Sequence, residues 1–149
     1  MLKILFVCHG NICRSPMAEF VLKDMAREYG LEDSIAVASA ATSTEEIGNP
    51  VDPRTVAVLR SAGIQCGGKR ARQMVKGDYA QYDHLIGMDH MNVRNMRIIA
   101  GGDPEGKISR LLDFTDAPRD IADPWYTGDF NATYNDVCAG CRALLEKLK

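Results

Sequence analysis

Cys8 and Arg14 are separated by five residues, and Ser15 and Pro16 follow them directly. A cysteine thiolate is a nucleophile, and a guanidinium offers a planar pair of donors that fits two oxygens of a phosphate. Backbone N–H groups in a tight turn that opens a helix form a concave anion site, and the same positive surroundings stabilise a thiolate. The segment therefore predicts a loop that binds phosphate and presents the sulfur of Cys8 in line with phosphorus.

The residues between Cys8 and Arg14 would form the anion site itself. Gly10 lets the backbone turn tightly at little steric cost, and the Ser15 hydroxyl is placed to donate a hydrogen bond to the sulfur. We predict that phosphate is bound along the whole loop, at His9, Gly10, Asn11, Ile12 and Cys13. A structural cysteine beside a helix cap is the alternative. The apolar strand before the loop and the helix start after it favour the functional interpretation.

The elements that position this loop follow from the hydrophobic pattern. Leu2–Val7 is nearly all apolar, which predicts a strand covered on both faces. Ser15 and Pro16 predict a helix start, with the hydroxyl as N-cap and proline at the first helical position, and the helix continues to about Tyr29. We predict the other elements as follows: strands over 35–38, 84–88 and 107–112, helices over 52–63, 89–100 and 128–149, and a long loop over 113–127.

Strands that alternate with helices predict an α/β fold, a three-layer sandwich in which helices cover both faces of a parallel sheet. Ligands of such sheets bind at the carboxyl ends of the strands, and the Cys8 loop directly follows the first strand. The 149 residues fit one compact domain spanning residues 1–149.

Composition narrows the classes of protein that fit. The formal net charge of −2 argues against a general nucleic-acid binder. No segment approaches the roughly 18 apolar residues of a membrane helix, and the run Leu2–Val7 is too short for a secretory signal. We therefore expect a cytoplasmic protein without a membrane or nucleic-acid partner, with a monomer as the simplest state.

The cysteines argue against disulfides and zinc. The chain has five, and an odd number in a domain of this size does not indicate a secreted disulfide framework. Cys138 and Cys141 form a C-x-x-C pair, but no second pair or paired histidines complete a zinc site. Apolar residues recur at helical spacing around Cys141, which favours packing in a core.

The string CHGNICRSPMAE at positions 8–19 closely resembles the signature of the low-molecular-weight protein tyrosine phosphatases. Further motifs of that family follow in order along nearly the whole chain: SAATS at 39–43, IGNP at 47–50, ARQ at 71–73, MD at 88–89 and DPWY at 123–126. The resemblance implies a four-stranded parallel sheet and neither metal nor other cofactor. It also implies hydrolysis of phosphotyrosine in protein substrates through a phosphocysteine on Cys8.

The resemblance assigns the remaining catalytic role to Asp123. In the family, the aspartate of the Asp-Pro pair protonates the leaving oxygen and later acts as the base that activates water. The residues alone do not select Asp123, because several other aspartates lie close by: Asp113, Asp116, Asp120 and Asp129.

The resemblance also implies which residues support the loop and form the substrate pocket. Asn11 and Ser39 resemble the family's supporting polar residues, although Asn11 also suits a left-handed turn and Ser39 a local backbone contact at a strand end. The implied pocket consists of Ile12, Glu45, Asn49, Trp125 and Tyr126. Aromatic walls in a deep slot favour phosphotyrosine over the shorter phosphoserine.

Three positions separate this chain from particular relatives. Many animal members carry an aromatic residue in place of Glu45, so we expect a more acidic pocket wall and a preference away from acidic peptides. Lys69 stands where some members have a histidine that supports the loop, so that support is lost or replaced. Ile12 stands where relatives acting on phosphoarginine carry threonine, and its apolar side chain favours phosphotyrosine.

Two questions are left open by the sequence. Cys13 is either a small buried residue or the partner of Cys8 in a reversible disulfide that protects the thiolate. A protein arginine phosphatase, a phosphate-binding module without turnover and a redox sensor are the alternative functions. The joint presence of Cys8, Arg14 and Asp123 favours an enzyme, because binding alone needs neither a thiol nor an acid.

Overall fold

The computed structural model describes residues 1–148, which form four strands, six α-helices and one 3-10 helix. The elements follow one another as β1 (Leu2–Cys8), α1 (Arg14–Glu28), β2 (Ile35–Ala41), α2 (Pro53–Ser61), α3 (Asp78–Gln81), β3 (His84–Gly87), α4 (His90–Ala100), β4 (Ile108–Arg110), the 3-10 helix (Leu111–Phe114), α5 (Pro124–Thr127) and α6 (Phe130–Leu148).

The four strands form one parallel sheet in the order β2-β1-β3-β4. β1 pairs with β2 along its whole length, from Leu2 opposite Ile35 to Cys8 opposite Ala41. The direction in which strands are added reverses at β1, and ligands of open parallel sheets bind outside the carboxyl ends of the strands at such a point. Cys8, the last residue of β1, lies at that edge.

The alternation of side chains along β1 divides the core into two layers. Ile4 and Phe6 face the layer formed with α1, α2 and α6, whereas Leu5 and Val7 face the layer that contains Tyr79 of α3 and Met96 of α4. Both faces of the strand are thereby buried, which explains its nearly continuous apolar sequence. The predicted three-layer α/β sandwich is confirmed.

The start of α1 differs from the prediction. The helix begins at Arg14, and Cys13 occupies the N-cap position without a side-chain cap hydrogen bond. Ser15 lies inside the first turn because its hydroxyl is directed at the Cys8 sulfur, 3.0 Å away. The start of α2 agrees with the prediction. Asp52 caps the helix, because its carboxylate accepts a hydrogen bond from the backbone N–H of Arg54 at 2.8 Å.

Other boundaries move for identifiable reasons. β2 continues to Ala41, beyond the predicted strand over 35–38, because its pairing with β1 continues to Cys8. β4 is shorter than predicted, since the chain turns into the 3-10 helix and buries Leu111 against Gly140 of α6. A side chain at Gly140 would lie 2.4 Å from Leu111, so only glycine permits this approach.

The segment predicted as a long loop over 113–127 contains helical turns at both ends. It begins within the 3-10 helix and ends in α5, which Asp123 caps. Gly128 has a φ of 75° and ends α5, so α6 starts at Phe130 rather than at Gly128. The short helix α3 was not predicted, and Lys149, the predicted last residue of the final helix, lies outside the described residues.

Cys141 lies in the core and its thiol faces the Ala18 carbonyl at 3.8 Å, in agreement with the prediction, while Cys138 is partly buried. Within residues 1–148 no group of three His, Cys, Asp or Glu residues is arranged to hold a metal ion. Over the same range, none of the helices combines the length and apolar character needed to cross a bilayer.

Candidate active site

The Cys8 sulfur lies beneath the loop that joins β1 to α1 and is only 3% exposed. The backbone N–H groups of Asn11 and Ser15 point at it from 3.3 and 3.4 Å, and the Ser15 hydroxyl lies 3.0 Å away. Asn11 has a φ of 60°, a left-handed conformation that asparagine tolerates better than most residues, which turns the chain back over the sulfur. Donors on several sides suit a charged thiolate.

The Asn11 side chain sets the direction of these hydrogen bonds. Its oxygen accepts from the backbone N–H of Arg72 at 3.1 Å, and its nitrogen therefore donates to Ser15 Oγ at 2.8 Å and Ser39 Oγ at 2.9 Å. Since Ser15 Oγ receives a hydrogen from Asn11, its own hydrogen is free for the Cys8 sulfur; a backbone carbonyl is farther away, at 3.4 Å. The Ser15 hydroxyl is thus oriented to donate to the Cys8 sulfur.

A buried carboxylate terminates this chain of hydrogen bonds. Ser39 lies inside β2, fully buried, and donates its hydroxyl to Glu19 of α1 at 2.6 Å. Glu19 is paired with Lys23 at 2.6 Å and lies 3.8 Å from Lys69, whose ammonium also donates to the Ser39 carbonyl at 2.9 Å. Burial lowers the pKa of Lys69, although Glu19 opposes the shift. The ammonium of Lys69 thus takes the place of the histidine that some relatives have at this position.

Arg14 is held by three oxygen atoms on two other segments. Nη1 donates to Asp89 at 2.7 Å and to the Ile121 carbonyl at 2.9 Å, while Nη2 lies 3.4 Å from Asp123. Although burial works against its charge, the neighbouring Cys8 sulfur and the carboxylates of Asp89 and Asp123 raise the pKa of Arg14. The guanidinium is therefore fixed in orientation beside the sulfur before any ligand arrives.

Asp123 lines the same cleft as Cys8 and Arg14. One of its oxygens caps α5 by accepting from the Trp125 N–H at 3.0 Å, and the other is the one near Arg14. Its side chain is about one-fifth exposed, at 22%. The carboxyl group is thus fixed by a short helix on one side and by Arg14 on the other, and part of it faces solvent.

These groups surround a cleft of about 120 Å³ that is partly open to solvent. The cleft is lined by Cys8, His9, Gly10, Ile12, Cys13, Arg14, Glu45, Glu46, Asp123, Trp125 and Tyr126. Of the predicted site residues, Asn11, Ser15 and Ser39 do not line the cleft, and Asn11 joins the other two by hydrogen bonds. Asn49 lies outside the lining and donates to Glu46, a lining residue that sequence reasoning missed, at 2.6 Å.

Aromatic and acidic side chains line the mouth of the cleft. Trp125 and Tyr126 are 53% and 82% exposed. Glu45 and Glu46 also line the cleft, and Glu45 pairs with the His9 ring at 2.8 Å. The lining therefore combines exposed aromatic rings with carboxylates.

Arg54 of α2 stacks on two aromatic rings. Its guanidinium carbon lies 5.4 Å from the ring centre of Trp125 and 4.5 Å from that of Phe130, and it is paired with Asp52 at 2.9 Å. The position of Trp125 is therefore coupled to the cap of α2. Neither Arg54 nor Asp89 was assigned a site role from sequence, because nothing local marks a contact made across more than 70 residues.

Cys13 lines the cleft and is itself buried. Burial, together with the negative charge of nearby Asp52, raises the pKa of its thiol to about 12. Cys13 is therefore protonated at neutral pH. The packed position agrees with a small buried residue and leaves the question of a disulfide with Cys8 to experiment.

The sequence from residue 3 to residue 149 matches the model of the low molecular weight phosphotyrosine protein phosphatases. The chain belongs to this family. It is 40% identical over 151 aligned positions to the low molecular weight protein-tyrosine-phosphatase YfkJ of Bacillus subtilis, and the alignment covers 100% of this chain and 97% of that protein. It is 38% identical to the low molecular weight phosphotyrosine protein phosphatase of Sus scrofa, with 98% and 95% coverage. The predicted family is confirmed.

Solved structures show the same fold. The crystal structure of Bacillus subtilis YfkJ superposes with a TM-score of 0.96 at 41% identity, over 99% of this chain and 94% of that one. The crystal structure of DARP, an arginine phosphatase from Drosophila, superposes with a TM-score of 0.90 at 28% identity, over 99% and 97% of the two chains. The fold of the family thus occurs in proteins whose names give different substrates.

Proposed function

We propose that this chain hydrolyses phosphotyrosine in proteins through a phosphocysteine formed on Cys8. One observation carries the proposal: Cys8, Arg14 and Asp123 line a single cleft, with the sulfur surrounded by hydrogen-bond donors at its base. A nucleophile, a fixed cation and a carboxyl group in the same cleft are the three groups that phosphoryl transfer to sulfur requires.

In the first step, backbone N–H groups of residues 9–13 and the Arg14 guanidinium bind the three non-bridging phosphate oxygens. The Cys8 thiolate attacks phosphorus in line, the P–S bond forms and the bond to the tyrosyl oxygen breaks. Asp123 gives its proton to that oxygen, so tyrosine leaves as a neutral phenol. Arg14 is already oriented by Asp89, so it meets the charge of the transition state without further reorganisation.

In the second step, Asp123 is the base. Water attacks phosphorus and passes a proton to Asp123, the P–S bond breaks, and its electron pair returns to sulfur. The Ser15 hydroxyl and the N–H groups of Asn11 and Ser15 stabilise the departing thiolate. Phosphate then leaves. The sequence of steps requires no metal or other cofactor, and we propose that the protein acts as a cytoplasmic monomer on phosphoproteins.

The cleft favours an aromatic phosphoester. Ile12 presents an apolar side chain inside it, and Trp125 stands at its mouth with Arg54 behind the indole ring. A flat tyrosyl ring fits between such walls and gains by contact with them. These apolar and aromatic side chains support phosphotyrosine as the substrate that we propose.

Phosphoarginine in proteins is the second candidate. It is favoured by the superposition with the arginine phosphatase DARP and by the acidic side chains at the mouth, Glu45 and Glu46, which suit a guanidinium. Against it, Ile12 offers no hydrogen-bond acceptor to a guanidinium that enters the cleft. Direct comparison of phosphotyrosine and phosphoarginine peptides of the same sequence separates the two candidates. We expect a kcat/KM at least about tenfold higher for phosphotyrosine, a difference of about 1.4 kcal/mol in transition-state binding.

The chemistry is tested by hydrolysis of p-nitrophenyl phosphate in the presence of EDTA. We expect full activity with the chelator and none in Cys8→Ser. On a phosphotyrosine peptide, Asp123→Ala lowers kcat about 10²- to 10⁴-fold, the usual contribution of a general acid. Cys66→Ser is the matched control, because Cys66 is also buried but lies outside the cleft.

Full activity in Cys8→Ser would overturn the proposed nucleophile. Binding of the phosphopeptide without turnover by the wild-type protein would indicate a binding module. Faster turnover of the phosphoarginine peptide would assign the chain to the second candidate.

A further inference from the structure

The acid Asp123 is carried by a segment, residues 115–123, that contains neither helix nor strand. Three residues before it, the Asp120 carboxylate accepts hydrogen bonds from two other parts of the chain. The backbone N–H of His90 donates at 2.9 Å, the His90 ring contacts the second oxygen at 2.5 Å, and Arg110 donates at 3.0 Å. Asp120 thus ties the acid-bearing segment to the first residue of α4 and to the end of β4.

The same turn of α4 also holds Arg14. Asp89, which caps α4, is the residue that binds the guanidinium at 2.7 Å. Between Asp120 and Asp123, the Ile121 N–H donates to the Met88 carbonyl at 2.9 Å, and the Ile121 carbonyl accepts from Arg14. The start of α4 therefore holds both the phosphate-binding arginine and the segment that carries the acid.

We propose that Asp120 is a positioning residue for Asp123, acting through its contacts with His90 and Arg110. The inference rests on the proposed role of Asp123 as the acid. A proton is transferred only when the carboxyl group lies within hydrogen-bond reach of the leaving oxygen, and a displacement of about 1 Å can cost about 100-fold in rate. Arg119 also pairs with Asp136 of α6 at 2.7 Å, and Ile121 is bonded to Met88, so the segment keeps part of its anchoring without Asp120. Loss of the Asp120 contacts therefore gives Asp123 more freedom of position without releasing the segment.

Exposure distinguishes this role from a purely structural one. The Asp120 and His90 side chains are 33% and 72% exposed. Contacts between charged groups this exposed contribute little to folding stability. Removal of the Asp120 carboxylate should therefore change the placement of the acid far more than it changes the stability of the fold.

The test compares kcat/KM for a series of aryl phosphates whose phenols differ in acidity. An acidic phenol such as p-nitrophenol leaves without much help, whereas phenol and tyrosine need the proton from Asp123. In Asp120→Ala we expect kcat/KM for phenyl phosphate to fall about tenfold, which corresponds to about 1.4 kcal/mol, and kcat/KM for p-nitrophenyl phosphate to stay within about twofold. Asp120→Asn, which keeps one acceptor oxygen, should lie between Asp120→Ala and the wild type.

Asp116→Asn is the matched control. This change removes a carboxylate from the same segment. The Asp116 side chain is exposed and makes no hydrogen bond or ion pair with any of residues 1–148. Its leaving-group dependence should equal that of the wild type. Equal losses for all leaving groups in Asp120→Ala, or no loss for any, would overturn the inference.

The double variant Asp120→Ala/Asp123→Ala separates this inference from the proposed function. If Asp120 acts through Asp123, its removal has no further effect once the acid is gone, and the two losses are not additive. Additive losses would contradict a positioning role. If Asp123→Ala alone left the leaving-group dependence unchanged, the assignment of the acid would itself be wrong.

Discussion

The Ser15 hydroxyl lies 3.0 Å from the Cys8 sulfur. Because the Asn11 side chain donates a hydrogen bond to Ser15 Oγ, the hydrogen of the hydroxyl is directed at the sulfur. A hydroxyl that donates to sulfur stabilises negative charge there. In the proposed mechanism this matters most when the phosphocysteine breaks down and sulfur is the leaving group.

Ser15→Ala should therefore slow hydrolysis of the intermediate more than its formation. Loss of a hydrogen bond to a charged group costs about 1.5–3 kcal/mol, so we expect the second step to slow by about 10- to 100-fold. Rapid mixing with p-nitrophenyl phosphate should show a larger burst of p-nitrophenol relative to the steady rate. Ser61→Ala, an exposed serine on α2, is the control and should show the wild-type time course. An unchanged burst in Ser15→Ala would contradict the orientation deduced for the hydroxyl.

Lys69 donates a hydrogen bond to the Ser39 carbonyl and lies 3.8 Å from the Glu19 carboxylate, behind the Cys8 loop. Lys69→Met should lower the free energy of unfolding by about 1–2 kcal/mol, because a buried carbonyl loses its charged donor, and should reduce kcat several-fold through the loop. Urea unfolding and steady-state kinetics measure the two effects.

Lys23→Met provides the comparison for Lys69. It removes the other cation that pairs with Glu19, but the Lys23 side chain is 44% exposed, so we expect a loss below about 1 kcal/mol. If both lysine variants had the same small effect, Lys69 would not support the loop.

Glu45 and Glu46 line the same cleft as Trp125 and Tyr126 and make its mouth acidic. We expect kcat/KM to be higher for phosphotyrosine peptides with basic flanking residues than for those with acidic ones. The preference should weaken as salt is raised, because the charges are exposed. Glu45→Tyr should reduce the ratio several-fold, although Glu46 preserves part of it.

Glu32→Gln is the control for charge alone, since Glu32 is exposed and lies outside the cleft. It removes the same charge from the protein and should leave the peptide ratio unchanged. Equal ratios in wild type and Glu45→Tyr would show that the acidic side chains at the mouth do not contact the peptide.

Cys13 is expected to affect how the protein responds to oxidation of Cys8. Peroxide converts Cys8 to a sulfenic acid, and attack by the Cys13 sulfur would expel water and form a disulfide that dithiothreitol reduces. Because burial and Asp52 raise the pKa of Cys13 to about 12, little thiolate is present at pH 7, and its fraction rises about tenfold per pH unit as pH approaches that value. We expect the fraction of activity recovered with dithiothreitol to be higher after oxidation at pH 9 than at pH 7.

Cys13→Ser cannot form the disulfide and should recover less activity at both pH values, with a smaller difference between them. Mass spectrometry of the oxidised proteins should find a Cys8–Cys13 disulfide only in the wild type. Equal recovery by both proteins would identify Cys13 as a packing residue.

Local sequence predicted the parts of the site that are local in the chain. The apolar run before Cys8 predicted β1, and the residues up to Pro16 predicted a loop that leads into a helix. Within that loop the role of Ser15 as a cap was wrong, because the sulfur of Cys8, rather than the end of the helix, is the partner of its hydroxyl. Hydrophobic periodicity was sufficient for the order of the main elements.

Hydrophobic periodicity and local motifs did not predict the contacts between segments that are distant in the sequence. Asp89 and Arg14 are 75 residues apart, and neither shows its partner through spacing or composition. Asp123 was singled out only by family resemblance among several aspartates, and its role as the acid stays a prediction. Short helices such as α3 and α5 have too few residues for a periodic pattern. The Asp123 side chain caps α5, whereas α3 has no side-chain cap and is anchored by the pair between Asp78 and Arg72.

The strand that ends at Cys8 is hydrogen-bonded on both sides, whereas Glu45 and Glu46 lie on a segment that has left the sheet. The position of the Cys8 sulfur is therefore set by a strand that lies inside the sheet. The mouth is free of that constraint. Substrate choice can drift among related enzymes, or be redesigned, by exchanging side chains at the rim while the machinery below is preserved.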